Sequence, residues 1–176
     1  APRFWPLHRK EFLWVVKPSS GPHSLENCLP LSVVLRDILE VAKTRKEAKK
    51  IISQGKVYVD GKIRLKDDFP VGLMDVISIP DLNKFFRITP FHKGLFLNPI
   101  SKEEASFKLC RVEDKATVKN GNVQIALHDG SNILAKAADS EKPQEVNYET
   151  FDILKLSLPE KQVADHLKTK KGNLAV

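Results

Sequence analysis

The chain has 176 residues, 41% of them hydrophobic and 29% charged, with a formal net charge of +7. That is enough material for one or two domains with a buried core, and too apolar for a disordered tail. No apolar run approaches the roughly 20 residues of a membrane-spanning helix. The charged N-terminal stretch APRFWPLHRKEFLWVV lacks the uninterrupted apolar core of a secretory signal.

Residues 1–23 read as an extended arm closing on KPSSGPH, a loop-forming run. Leu31, Val34, Leu35, Ile38 and Leu39 recur at helical spacing, with Pro30 suited to a first turn. Thr44 and Glu47 form a capping box that opens a second helix. This helix should run to about Gln54 and stop at Gly55, which tolerates left-handed backbone. At 100° per residue, Arg45, Lys46, Lys49 and Lys50 share one arc, and Ala48, Ile51 and Ile52 another.

Two strands follow, KVYV (56–59) and KIRLK (62–66). A two-residue Asp60-Gly61 loop would set Val59 opposite Lys62 and mix the two faces. A three-residue loop with Gly61 in a bulge pairs Val59 with Ile63 and Val57 with Leu65. The second register is expected, because it gathers the apolar side chains and puts Lys56, Tyr58, Arg64 and Lys66 on one exposed surface. PVGLMDVISI reads as core around Met74, and DVISIP as a short strand closing the unit near Pro80.

Beyond Asp81, the runs FFRITP, GLFLNPI, ATVKN, VQIALHDG and NILAKA look like short strands between turns such as Asn120-Gly121 and Asp129-Gly130. A short helix is expected from Ser101, with Glu104 as capping partner, through SFKL. FDILKLSLP is a further strand, and KQVADHLKTKKGNLAV a hydrophilic end. The fold class is therefore α+β: a small helix–helix–hairpin module over 24–82, then a mostly β, barrel-like domain over 83–170.

The charge is concentrated. Lys43, Arg45, Lys46, Lys49, Lys50, Lys56, Lys62, Arg64 and Lys66 face only Glu47 and Asp60 within the same window. The window's net +7 equals that of the whole chain, so the remainder sums to zero. A solvated charged face explains many lysine-rich helices. It does not explain why the adjoining hairpin is basic too, with so few compensating acids. One concentrated patch points to a polyanionic partner.

Catalytic signatures are missing: there is no phosphate-binding glycine loop, no G-x-S-x-G and no H-E-x-x-H. His8, His23, His92, His128 and His166 are isolated, and Cys28 and Cys110 form no C-x-x-C pair, reading as buried thiols of a reducing compartment. His128-Asp129-Gly130 reads as a turn and Asp67-Asp68 as a solvated loop. No enzymatic activity, cofactor or metal is expected. Nucleic-acid binding needs cations at phosphate spacing on a rigid scaffold, plus groups for sugars and bases. The helix and hairpin supply the cations, Tyr58 a stacking ring and Gln54 a hydrogen-bonding amide.

The order LRDILEVAKTRKEAKKIISQGKVYVDGK followed by DVISI resembles the S4-type RNA-binding module. That helix–helix–hairpin fold occurs in ribosomal proteins, pseudouridine synthases and tyrosyl-tRNA synthetases. KPSSGPHSLENCLPL before it, and PVGLMDVISIP, ISKEEASFKLCRV and LHDGSNIL after it, look like the archaeal and eukaryotic small-subunit ribosomal protein family S4e. The resemblance spans nearly the whole chain. It implies a non-catalytic constituent of the small (30S/40S) subunit, acting in translation in the cytoplasm. Ribosomal RNA and neighbouring ribosomal proteins would be its partners, with no membrane contact and a monomeric state outside the ribosome.

In the module, the start of the second helix and the hairpin face RNA. Carried over, this points to Thr44, Arg45, Lys46, Lys49, Lys50, Lys56 and Lys62; the face analysis adds Arg64. The family pattern also implies a basic tail ahead of APRFWPL. Beyond GNLAV it implies a KOW-type β-barrel, of which 171–176 would be the start. The alternatives are an RNA-modifying enzyme or a stress-related RNA-binding protein sharing the module. A pseudouridine synthase would need its own catalytic domain with an arginine-leucine-aspartate-like motif. This chain has Arg64-Leu65-Lys66-Asp67 inside the module instead.

Overall fold

A computed structural model describes residues 1–7, 13–92, 94–118, 122–135 and 148–169. His8, the Asn120-Gly121 turn and segment 171–176 lie outside these described residues. The chain forms two compact units, Ala1–Ser106 and Phe107–Val176.

In chain order the first unit contains β1 (Cys28–Pro30), α1 (Leu31–Val33), α2 (Arg45–Ser53), β2 (Tyr58–Val59), β3 (Lys62–Ile63), β4 (Pro70–Gly72), β5 (Val76–Ile79), β6 (Lys84–Phe91) and β7 (Gly94–Pro99). The arm is tied down by Trp5, whose buried indole N–H donates to the Cys28 carbonyl at 2.9 Å. Pro30 ends β1 and is at the same time the extended N-cap of α1, and β1 pairs antiparallel with β4. The expected first helix is short: α1 passes directly into a π-helical turn over Val34–Ile38. There the Leu39 N–H reaches the Val34 carbonyl at 2.9 Å. Leu31, Val34 and Leu35 still enter the core, where they meet Ala48, Ile52, Val57, Val59 and Ile77.

The hairpin takes the register that the apolar pattern argued against. Tyr58 opposes Ile63 and Val59 opposes Lys62, leaving a two-residue loop. Turn chemistry outweighs side-chain sorting. Asp60 and Gly61 both adopt positive φ, 52° and 73°, as a type I′ turn requires. Asp60 is also clamped: its backbone N–H donates to the Val76 carbonyl at 2.9 Å, and its carboxylate accepts from the Val76 N–H at 3.0 Å. In consequence Ile63 and Leu65, expected in the core, stand in solvent, while Val57 and Val59 are buried.

The first unit's main sheet has the order β3-β2-β5-β6-β7, antiparallel throughout. The boundary expected at 82/83 falls inside this sheet, because β6 pairs with β5. By backbone contacts the chain divides instead between Ser106 and Phe107.

The second unit contains β8 (Phe107–Thr117), β9 (Val123–Leu127), β10 (Asn132–Ala135), β11 (Ile153–Ser157) and β12 (Gln162–Leu167), in the order β10-β9-β8-β11-β12. The long β8 pairs with β11 through its first half and with β9 through its second, and a register shift lies between Val112 and Asp114. Such a bulge bends a strand, and the sheet curls into a half-barrel whose edges among the described residues are β10 and β12. Its core is Cys110, Val112, Ile125, Leu127, Leu154 and Leu156.

The expected helix through SFKL is a strand. The Ser101–Glu104 capping box forms, at 3.0 and 3.2 Å, but only a single 3-10 turn, Glu104–Ser106, follows. From Phe107 burial alternates, with Lys108, Cys110 and Val112 inside, and that period of two selects a strand. β12 was concealed by its polarity: it is an edge strand with only Val163 and His166 half-buried.

Candidate nucleic-acid interface

α2 is built as the sequence specifies. The Glu47 N–H donates to Thr44 Oγ1 at 3.3 Å, and the Glu47 carboxylate accepts from the backbone N–H groups of Thr44 and Lys43. Thr44 therefore spends its hydroxyl on the helix start. At the other end Gln54 caps the helix and Gly55 takes φ 74°. Ala48 and Ile52 are buried, whereas Arg45, Lys46, Lys49, Lys50 and Gln54 are exposed. Among the described residues, no acid forms an ion pair with Lys46, Lys49, Lys50, Lys62 or Lys66.

Two of the expected cations are partly engaged. Arg45 Nε–H donates to Asp67 Oδ2 at 3.1 Å and its Nη2 lies 3.1 Å from the same oxygen, though its side chain remains 56% exposed. Asp67 is thus a buried anchor, not the solvated loop residue expected; the guanidinium that pairs with it makes its burial tolerable. Lys56 Nζ lies 3.2 Å from Asp81 Oδ2, both groups half in solvent.

The hairpin does not gather its cations on one face. The Arg64 N–H donates to the Val57 carbonyl at 3.1 Å, so Arg64 opposes buried Val57 and its guanidinium lies 4.2 Å above the Phe69 ring. Lys62 opposes Val59 at the sheet edge. Lys56 and Tyr58 lie on the other side, because neighbours two apart in a strand share a face. The structure thus brings together Lys46, Lys49 and Lys50, with Arg45 at the helix start. It separates Tyr58 and Lys56 from Lys62 and Arg64. Asp67 was the residue missed, and its signal was an acid directly after the basic run 62–66.

The second unit holds polar clusters of a different kind. Lys108 Nζ lies 3.0 Å and Lys161 Nζ 2.8 Å from Asp129 Oδ2, with the Ser131 N–H and hydroxyl on Asp129 Oδ1. Burial alone would push the Asp129 carboxyl up, but Lys108, Lys161 and Ser131 outweigh it and hold the group well below the usual carboxylate range. The Asp129-Gly130 turn forms as expected, with the Gly130 N–H on the Leu127 carbonyl at 3.0 Å. His166 Nε2 lies 2.7 Å from Asp152 Oδ2. Burial opposes the Asp152 charge too, yet hydrogen bonds from the Glu149 N–H, His166 and the Thr169 N–H lower its pKa. In the first unit His23 Nε2 lies 2.9 Å from Asp75 Oδ2, which also accepts the Gly72 N–H. Each of these groups holds a turn or strand end in place. Among the described residues no group of three or more histidine, cysteine or acidic side chains could hold a metal, and no helix is long and apolar enough to cross a membrane. Cys28 and Cys110 are free and buried, and burial pushes the Cys28 thiol up to about 11.

Comparison with known proteins matches the chain in three segments. These are the RS4NT (NUC023) domain over residues 1–26, the S4 domain over 29–77 and the ribosomal family S4e over 82–163. A small ribosomal subunit protein eS4 from Desulfurococcus amylolyticus is 50% identical over 177 residues, covering 100% of this chain and 70% of that protein. The eS4 of Methanothermobacter thermautotrophicus is 45% identical over 177 residues, covering 100% and 69%. The crystal structure of the 30S ribosomal protein S4e from Thermoplasma acidophilum superposes with a TM-score of 0.67 at 29% identity, over 84% of this chain and 72% of that one.

Proposed function

The chain belongs to the S4e family of small-subunit ribosomal proteins, structural and non-enzymatic constituents of the ribosome, and we propose that it binds ribosomal RNA through the cationic side of α2 and the adjoining hairpin. One observation carries this reading: Lys46, Lys49 and Lys50 stand exposed, with no acidic partner among the described residues, on a helix whose other side is buried. Their charge is unspent inside the molecule and available to phosphates, whose neutralisation releases counterions.

Lys62 adds a cation at the sheet edge. Arg45, steadied by Asp67, presents a fork suited to phosphate oxygens. Thr44 contributes through the helix start it caps, and Gln54 offers an amide at the helix end. Lys56 and Tyr58 address the RNA from the outer side of the sheet, and Arg64 supports the hairpin from the inner side over Phe69. In this reading residues 1–23 are an arm, 24–82 the RNA-binding module, and 83–170 a β body whose first strands, β6 and β7, continue the module's sheet. Neighbouring ribosomal proteins are its further partners, and outside the ribosome the chain is a monomer.

Affinity for small-subunit ribosomal RNA should fall steeply with salt, with a log–log slope of about −0.7 to −0.9 per phosphate neutralised. The variant Lys46→Glu/Lys49→Glu/Lys50→Glu, which leaves the Arg45–Asp67 pair intact, should lose specific binding while its circular dichroism and melting temperature stay near those of the parent. A folded triple variant that still binds normally would sink the assignment of this face.

A further inference from the structure

Ile63 and Leu65 are the large apolar side chains that the hairpin leaves in water, 51% and 61% exposed. They adjoin Gly55, where a Cβ would lie 3.4 Å from Ile63 Cγ2 and 3.9 Å from Leu65 Cδ2. The apolar surface therefore begins where the cationic helix ends. Cross-strand register extends it: Ile63 opposes Tyr58, Tyr58 opposes Ser78, and Ser78 opposes Phe85. Directly opposed residues share a face.

The neighbouring row identifies the inner side. Val59 and Ile77 are buried and Phe86 packs on the same core, so the Ile63–Tyr58–Ser78–Phe85 row looks outward. Tyr58 and Phe85 are partly exposed rings, two strand spacings or roughly 9.5 Å apart along the sheet, with the small Ser78 between them. Lys56 stands on the same side with Asp81 beside it. Farther along, Arg87 donates to the Glu104 carbonyl at 2.7 Å, and that chain segment bounds the surface.

We infer that this outer sheet face receives unpaired nucleobases of the RNA whose phosphates α2 holds, stacked on Tyr58 and Phe85, with Ile63 and Leu65 against an adjacent base or ribose. The inference rests on the RNA-binding reading given above. A ligand that fits here must be anionic along one edge, to meet the lysines, and flat and apolar on another, to cover the rings and aliphatic groups. Single-stranded RNA has both properties. A duplex hides its base faces within the stack, and a basic or neutral peptide has nothing for the cations.

The test uses the full chain with two probes of equal phosphate number, a fluorescein-labelled oligouridine and a blunt RNA duplex. Tyr58→Ala/Phe85→Leu should weaken oligouridine binding about tenfold or more, with an unchanged salt slope and duplex affinity within about twofold. Tyr58→Phe, which keeps the ring, should bind like the parent. Crosslinks from 4-thiouridine within the oligomer should map to Tyr58 or Phe85. Phe85→Leu alone, which keeps apolar volume, provides the same readout should the double variant melt early. No loss on oligouridine, or an equal loss on both probes, overturns the stacking face. So does capture of a protein partner on this face in competition with oligouridine. Lys46→Glu/Lys49→Glu/Lys50→Glu separates the two readings. Weakened binding of both probes supports the cationic helix whatever the aromatic variants show. Unchanged binding overturns that helix reading, and with it this inference.

Discussion

On α2, Lys46, Lys49 and Lys50 project into solvent with no described acid in ion-pairing reach, whereas in the second unit Lys108 is fully buried against Asp129, which also holds Lys161. The same residue type serves opposite ends. A lysine on the polar arc of an amphipathic helix keeps its charge for a partner. A lysine at an inward position of a strand must find its counter-charge within the protein, because an unpaired buried ammonium would cost several kcal/mol. Net charge alone does not reveal a binding surface; what counts is the charge left unpaired after folding.

The largest effect is expected at Asp129. Asp129→Asn leaves two ammonium groups facing a neutral amide, and should lower the stability of the second unit by about 3–5 kcal/mol in chemical denaturation. A loss below about 1 kcal/mol would mean that the cluster behaves as an exposed pair. The pH dependence follows from the same group. Folding lowers the Asp129 and Asp152 pKa values, so near pH 4 the folded chain binds fewer protons than the unfolded one. Their stabilisation is complete above about pH 4 and is lost as pH falls towards the folded values. Asp129→Asn should flatten that acid limb; an unchanged limb would assign it elsewhere.

On the exposed side the effects should be smaller. Thr44→Ala removes the cap that orients α2 and should cost about 1 kcal/mol of stability, read as a lowered denaturation midpoint. Ile63→Thr should change stability by no more than about 0.5 kcal/mol, since half of that side chain already meets water. A cost of 2 kcal/mol or more at Ile63 would restore it to the core and remove the outward apolar surface from consideration.

The second helix was legible because its signals are local. Thr44, Glu47 and Gly55 set its ends, and the arcs of Ala48, Ile51 and Ile52 against Lys46, Lys49 and Lys50 set its faces. The hairpin was half legible. Its two strands were plain, but their register depended on whether Asp60-Gly61 would take a type I′ turn, and Asp60 is held there by Val76, a residue remote in sequence. At SFKL a sound capping box was followed by an alternating pattern that prevailed over it. The Asp67–Arg45 and Asp129–Lys108–Lys161 contacts join residues far apart in the chain, and no periodicity announces them.

Composition and short-range spacing suffice for the family, the amphipathic helix and the concentration of charge in residues 43–66, because those properties are local. Which cations stay exposed, which side of the sheet Tyr58 shares with Ile63, and the burial of Lys108 emerge only once the chain is folded. Those depend on strand register and long-range pairing, where a shift of one residue exchanges inside for outside.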